Sequence, residues 1–178
     1  MSSHHFVKED QEPALLIIDP DAIAFEKVQE LLEWSPLVIV SQQAIDVVQD
    51  WGIKIDVLFA SPESNSFSQL VIDQAPIQVI YSTDEFKSVC EFLNDRKQIH
   101  LNVIINDAKV YFTMAASFSH KVNVVLFDKK ARWHFVATGL YSKWLPSETI
   151  LWTYSNDNLE KRAVNKTGVF KIERNDSF

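Results

Sequence analysis

Polar side chains that offer oxygen ligands stand where three apolar stretches of the sequence end. Asp19 closes the stretch ALLIID, Glu63 follows DVLFAS, and Asp84 follows IQVIYS. Carboxylates at neighbouring strand ends are suited to holding a magnesium ion and, through it, a phosphate. Each also has a structural alternative: Asp84 is a natural helix cap, Glu63 fits a solvated loop, and Asp19 fits a proline turn. The sequence leaves both interpretations open.

The elements that would position these residues alternate between strand and helix from residue 14 to residue 119. The apolar runs predict buried strands, and apolar residues at helical spacing follow each of them except the third. Strands that are apolar on both faces predict a mostly parallel sheet with helices on both faces. The predicted strands are ALLIID (14–19), LVIVS (37–41), DVLFAS (56–61), IQVIYS (77–82) and LNVIIN (101–106).

After residue 120 the pattern changes to β-rich runs. The stretch KVNVVLFDKKARWHFVATG (121–139) predicts a hairpin around Asp128, and 148–155 and 168–175 are further predicted strands. We therefore predict a flexible N-terminus (1–13), an α/β domain (14–120) and a small, sandwich-like all-β domain (121–178). A segment this short buries little surface alone, so we expect it to pack on the first domain, on a second copy, or on both.

Composition narrows the classes of function. The chain has 178 residues, a formal net charge of −7 and one cysteine, Cys90. These values argue against nucleic acid or a membrane surface as a partner and exclude an internal disulfide, so we expect a cytoplasmic protein. Three glycines, Gly52, Gly139 and Gly168, are too scattered to form a phosphate-binding loop.

The order of elements and several short motifs resemble thiamine pyrophosphokinase. That family has A-D-G-G-A after a strand, then G-I-x-P-D, a further strand and G-D-x-D-S. The corresponding text here is VSQQAIDVVQDWGIKIDVLFASPES, which keeps Gly52, Asp56 and Ser64. The family's D-x-T-D corresponds to YSTD, which keeps Thr83 and Asp84. The resemblance covers nearly the whole chain.

The resemblance implies transfer of diphosphate from ATP to thiamine, with magnesium held by the motif aspartates. Ser41, Ser61 and Tyr81 stand at three of those aspartates, and Gln42 and Gln43 replace two glycines. The family's G-G-R-x-D-H segment has no visible counterpart. We therefore expect a degenerate member of the family that binds a small ligand or a protein.

The alternative is an active kinase with a rebuilt magnesium site. Glu63 and Asp84 are then the candidate catalytic residues, with Asp19 as a third metal ligand and Thr83, Asp84 and Ser64 as cofactor-binding residues. Magnesium and ATP are expected as cofactors only in that case, and otherwise none.

Two further expectations concern the C-terminal segment. The resemblance implies a homodimer that pairs through the β domains, with the vitamin site between subunits. Flat aromatic walls and a few polar groups suit a thiamine-like ring, although aromatic residues of a small β domain also form core. The candidate substrate-binding residues are Trp133, Trp144, Trp152, Ser155 and Asn156.

Overall fold

The computed structural model of the chain describes residues 12–33, 36–64, 67–135, 139–155 and 158–174. The chain divides into two compact units, and the first of them ends at Phe135. Within the described residues, no helix has both the length and the apolar character needed to cross a membrane.

A seven-stranded sheet forms the centre of the first unit. Six strands run parallel and the seventh, an edge strand, is antiparallel, in the order β4-β3-β2-β1-β5-β6-β7. The strands are β1 (Ala14–Ile17), β2 (Val38–Ser41), β3 (Val57–Ala60), β4 (Gln78–Tyr81), β5 (His100–Ile104), β6 (Asn123–Phe127) and β7 (Arg132–His134). The predicted parallel α/β architecture is confirmed.

Helices cover both faces of this sheet because its central strands are apolar on both sides. Leu16 packs with residues of α4 and α5, whereas Leu15 and Ile17 pack with residues of α1, α2 and α3. The helices are α1 (Phe25–Leu32), α2 (Ile45–Asp50), α3 (Ser68–Asp73), α4 (Glu85–Asp95) and α5 (Phe112–Phe118). No helix is predicted from the sequence between β3 and β4, where the structure has the short α3.

Two predicted helix boundaries are confirmed. Gly52 ends α2 with a φ of +70°, a conformation that costs glycine little, and its N–H donates to the Gln49 carbonyl at 2.8 Å. Asp84 directly precedes α4 and caps its N-terminus, where its Oδ1 accepts a hydrogen bond from the Lys87 N–H at 3.2 Å.

The predicted hairpin is confirmed, but it belongs to the first unit. Strand β6 pairs parallel with β5, and β7 pairs antiparallel with β6. The two units therefore divide after Phe135, whereas the sequence places the boundary at residue 120. Strand β6 has the burial of a sheet interior on both faces, which explains why it extends the large sheet.

The second unit contains two antiparallel ribbons. One pairs β8 (Gly139–Leu145) with β11 (Gly168–Arg174), and the other pairs β9 (Ile150–Ser155) with β10 (Asn158–Ala163). The strands predicted at 148–155 and 168–175 are confirmed. The strands at 139–145 and 158–163 are additional to the prediction.

Candidate functional site

The carboxyl ends of the parallel strands carry most of the residues singled out from the sequence. Strand order reverses direction between β1 and β5, and in open α/β sheets ligands bind at such a reversal. Asp19 bridges this point, since its Oδ2 accepts a hydrogen bond from the Asn106 N–H at 2.9 Å. One oxygen of this carboxylate is thus committed to joining the two strand ends.

The loop after β3 is held by an amide side chain. Gln42 Oε1 accepts hydrogen bonds from the Ser61 N–H at 2.9 Å and from the Ser64 hydroxyl. Ser61 Oγ in turn accepts from the Glu63 N–H at 3.3 Å. The Glu63 side chain is exposed. Gln42 and the two serines of this loop are therefore linked by hydrogen bonds, in which Glu63 takes part through its backbone N–H.

Thr83 and Asp84 lie in the loop that leads from β4 into α4, and both are exposed. Ser82 Oγ accepts from the Asp84 N–H at 3.1 Å and lies 2.7 Å from the Ser88 hydroxyl. Together with its bond to Lys87, this makes Asp84 part of the helix start. The capping role accounts for its position.

Glu85, the first residue of α4, is a half-buried acid at this edge. Its Oε2 accepts a hydrogen bond from the Ser41 hydroxyl at 3.0 Å, whereas its Oε1 is buried without a hydrogen-bond partner. Burial raises the pKa of the Glu85 carboxyl from 4.5 to about 7, the bond from Ser41 lowers it, and the charge of Asp19 raises it. The carboxyl therefore changes from mostly protonated to mostly ionised as the pH rises through about 7.

Tyr111, directly before α5, is influenced by the charges of several acids at this edge. Its ring packs against that of Phe86 with the ring centroids 5.3 Å apart. Burial raises the pKa of the Tyr111 phenol, and the negative charges of Glu85, Asp19 and Asp84 raise it further. The phenol thus stays protonated at neutral pH and adds no charge to this edge.

The three carboxylates proposed as metal ligands do not form one group in the structure. Among the residues that the structure describes, no three His, Cys, Asp or Glu side chains are grouped so that they could hold one metal ion. Glu63, Asp84 and Asp19 therefore do not come together as three ligands. At the end of β2, Gln43 Nε2 donates to the Ile18 carbonyl at 3.4 Å.

The aromatic residues proposed for a vitamin pocket are divided between the two units. Trp133 lies in β7 of the first unit, packs edge-on against Phe112 at 4.9 Å between ring centroids, and donates its indole N–H to Asp128 at 2.9 Å. Trp144 lies in β8 of the second unit and is 61% exposed. The side chains of Trp152 and Ser155, and the whole of Asn156, lie outside the described residues.

Solved structures share this architecture. Thiamine pyrophosphokinase from Bacillus subtilis superposes with a TM-score of 0.57 at 13% identity, covering 78% of this chain and 72% of that one. A probable thiamine pyrophosphokinase from Staphylococcus saprophyticus gives 0.56 at 14% identity, with 93% and 100% covered. A thiamin pyrophosphokinase family protein from Enterococcus faecalis gives 0.53 at 13% identity, with 89% and 87% covered.

This chain has the thiamine pyrophosphokinase fold. The resemblance read from the motifs is thereby confirmed at the level of fold. No protein-family model matches the sequence, and no curated protein matches it. At such low identity, the chemistry of a thiamine pyrophosphokinase fold has to be argued from the residues at its strand ends.

Glu85 was not predicted as a site residue, because an acid in the first turn of a helix is ordinary and usually solvated. The available signal was its position, directly after a capping aspartate at the end of a parallel strand. Its partner Ser41 is 44 residues away, so the contact could not be read from local spacing.

Proposed function

We propose that this chain is a non-catalytic relative of thiamine pyrophosphokinase that keeps the fold to bind a small ligand or a protein. The observation that carries the proposal is the hydrogen bonding at the carboxyl edge. Gln42 holds the β3 loop, Ser41 donates to Glu85, and Asp19 accepts from Asn106, so these side chains are already engaged in bonds within the chain.

The residues present fit poorly with the magnesium and nucleotide that the fold family implies. Magnesium at a nucleotide site is held by one or two carboxylates together with phosphates and water, and it neutralises the charge of the transferred phosphates. Here Glu63, Asp84 and Asp19 are not grouped within the described residues, and the pKa of Glu85 is raised to about 7, so its carboxyl is only partly ionised at neutral pH. We therefore derive no phosphoryl-transfer step from this edge.

Calorimetric titration with magnesium-ATP tests the proposal directly. We expect no saturable heat at concentrations where kinases of this fold bind their nucleotide, because the edge offers neither a clustered set of carboxylates nor a glycine-rich cradle. A micromolar dissociation constant that disappears without magnesium would instead favour the rebuilt kinase site. In that event Glu63→Gln should weaken binding, while Glu91→Gln, an exposed acid on α4, should not.

The proposal includes a homodimer formed through the second unit. Trp144 and Val169 are cross-strand partners in the β8–β11 ribbon, and their side chains are 61% and 60% exposed. Two large apolar side chains side by side on a small ribbon form a surface suited to a second copy. An exposed indole also suits a cationic thiazolium, so a thiamine-like ligand is proposed here too.

Light scattering at micromolar concentration is expected to give the mass of a dimer for the wild type and of a monomer for Trp144→Lys. The matched control is Val110→Lys, which changes a residue of the first unit that is 67% exposed and should leave the dimer intact. A monomeric wild type, or a dimer that survives Trp144→Lys, would contradict this assignment of the interface.

A further inference from the structure

A groove lies on one face of the large sheet and runs from the start of β5 and β6 to the carboxyl end of β6. Helices α4 and α5 pack on one face of β5 and β6, where Leu101, Val103 and Val124 are buried among them. Because side chains alternate along a strand, the neighbouring residues of β5 and β6, such as Asn102 and Val125, point to the opposite face of the sheet. There a groove of about 250 Å³ is bordered by Leu31 of α1 and by side chains of β5, β6 and β7.

The strand register sets out the side chains of this groove in cross-strand rows. His100 of β5 lies beside Asn123 of β6, with 3.4 Å between the His100 Nδ1 and Asn123 Nδ2 atoms. Since neighbouring strands are about 4.8 Å apart, three strands give a surface roughly 10 Å wide. The next two rows are Asn102, Val125 and His134, then Phe127 and Arg132.

Arg132 is fixed at one end of the groove by an aromatic ring. Its guanidinium carbon lies 5.4 Å from the centroid of the Phe127 ring, while the residue itself remains exposed. Phe127 is 4% exposed, so its ring is packed into the fold. A stacked guanidinium keeps its N–H donors available in the plane of the group, where they can reach a bound oxyanion.

The charge of the groove is opposite to that of the chain. The described residues that line it include one arginine, two histidines and two asparagines, but no aspartate or glutamate, in a chain of net charge −7. Guanidinium, imidazole and carboxamide N–H groups are donors for carboxylate and phosphate oxygens. Val125 and Phe127 between them provide an apolar floor.

We propose that this groove binds a small organic oxyanion, a carboxylate or a phosphate monoester, with its charged end at Arg132 and its apolar part on Val125. The volume is below the roughly 300–1,000 Å³ of a drug-sized site, so a ligand smaller than a nucleotide is implied. The groove shares no residue with Asp19, Glu63 or Asp84, and the proposal holds whether or not those residues bind magnesium-ATP.

Benzoate and phenyl phosphate are the probes for this site, with benzyl alcohol as the uncharged control. Titrations of the ¹⁵N-labelled full chain are expected to give saturable amide shifts in 100–102, 123–127 and 132–134 with an anion and none with benzyl alcohol. Comparison of the two anions distinguishes a carboxylate site from a phosphate site. Saturable shifts at the carboxyl edge alone, or none with either anion in the millimolar range, would overturn the proposal.

Arg132→Met keeps an unbranched stem over Phe127 and removes the charge, so it should weaken the probe about tenfold. The matched control is Arg96→Met, because the Arg96 guanidinium lies 5.3 Å from the Phe92 ring in the same kind of contact on α4. Equal affinities of the two variants would overturn the proposal. Asn102→Ala removes a donor from the centre of the groove and should weaken the probe too, which keeps the test decisive if Arg132→Met does not fold.

Discussion

Glu85→Gln is expected to raise the free energy of unfolding by roughly 2 kcal/mol at about pH 8 and to change it much less at about pH 5. The pKa of this carboxyl is about 7 in the folded chain against an ordinary value of 4.5. Between those values the folded state binds more protons than the unfolded state, so wild-type stability falls as the pH rises through this window. Glutamine has the shape of the protonated acid and carries no charge to desolvate.

Urea unfolding of both proteins across this pH range measures the effect. The wild type should lose stability from about pH 5 to about pH 8, and Glu85→Gln should lose much less. Glu91→Gln changes an exposed acid on the same helix and should keep the wild-type slope. Equal slopes for the wild type and Glu85→Gln would mean that this carboxyl is ionised in the folded chain throughout.

Ser41→Asp restores the acid of the family motif and is expected to destabilise the chain by about 3 kcal/mol relative to Ser41→Asn at about pH 8. Ser41 is 1% exposed, and its hydroxyl lies 3.0 Å from Glu85 Oε2. A carboxylate in that position would be buried against a second carboxyl and could no longer donate a hydrogen bond to it. Asparagine has the same size, keeps a donor and adds no charge, so the comparison isolates the charge.

Urea midpoints of the two Ser41 variants, with and without magnesium chloride, measure this second effect. Magnesium should leave the wild-type midpoint unchanged, because its edge presents no grouped carboxylates within the described residues. Equal stabilities for Ser41→Asp and Ser41→Asn without the metal would show that the edge tolerates the family's acid. The interpretation of Ser41 and Glu85 as a matched pair would then be wrong.

The architecture of the first unit could be predicted because its strands are apolar on both faces. Runs such as ALLI and VIVS have one stable environment, a sheet covered on both sides, and the polar residues after them had to lie at its carboxyl edge. The roles of Gly52 at a helix end and of Asp84 as a helix cap could also be predicted, since both depend on neighbours only a few residues away.

Features that depend on distant partners could not be predicted. Strand β10, NLEKRA, is mostly polar and is a strand because of its pairing with β9. The hairpin of β6 and β7 could be recognised from the sequence. That it joins the large sheet could not, because this depends on the parallel pairing of β6 with β5, which is separated from it in the chain by α5. At the site, Gln42 was interpreted only as the replacement of a glycine of the family motif. In the structure its side-chain amide accepts a hydrogen bond from a loop about twenty residues away along the chain.

The measurement that tests the central claim most directly is AMP release from ATP in the presence of magnesium and thiamine. The thiamine pyrophosphokinase of Bacillus subtilis, assayed in parallel, is the positive control. We expect this chain to release no AMP above a blank without protein, because the acids proposed for magnesium are not grouped within the described residues and Glu85 Oε2 is bonded to Ser41. Thiamine-dependent AMP release that is lost in Glu63→Gln or Asp84→Asn and kept in Glu91→Gln would contradict the account.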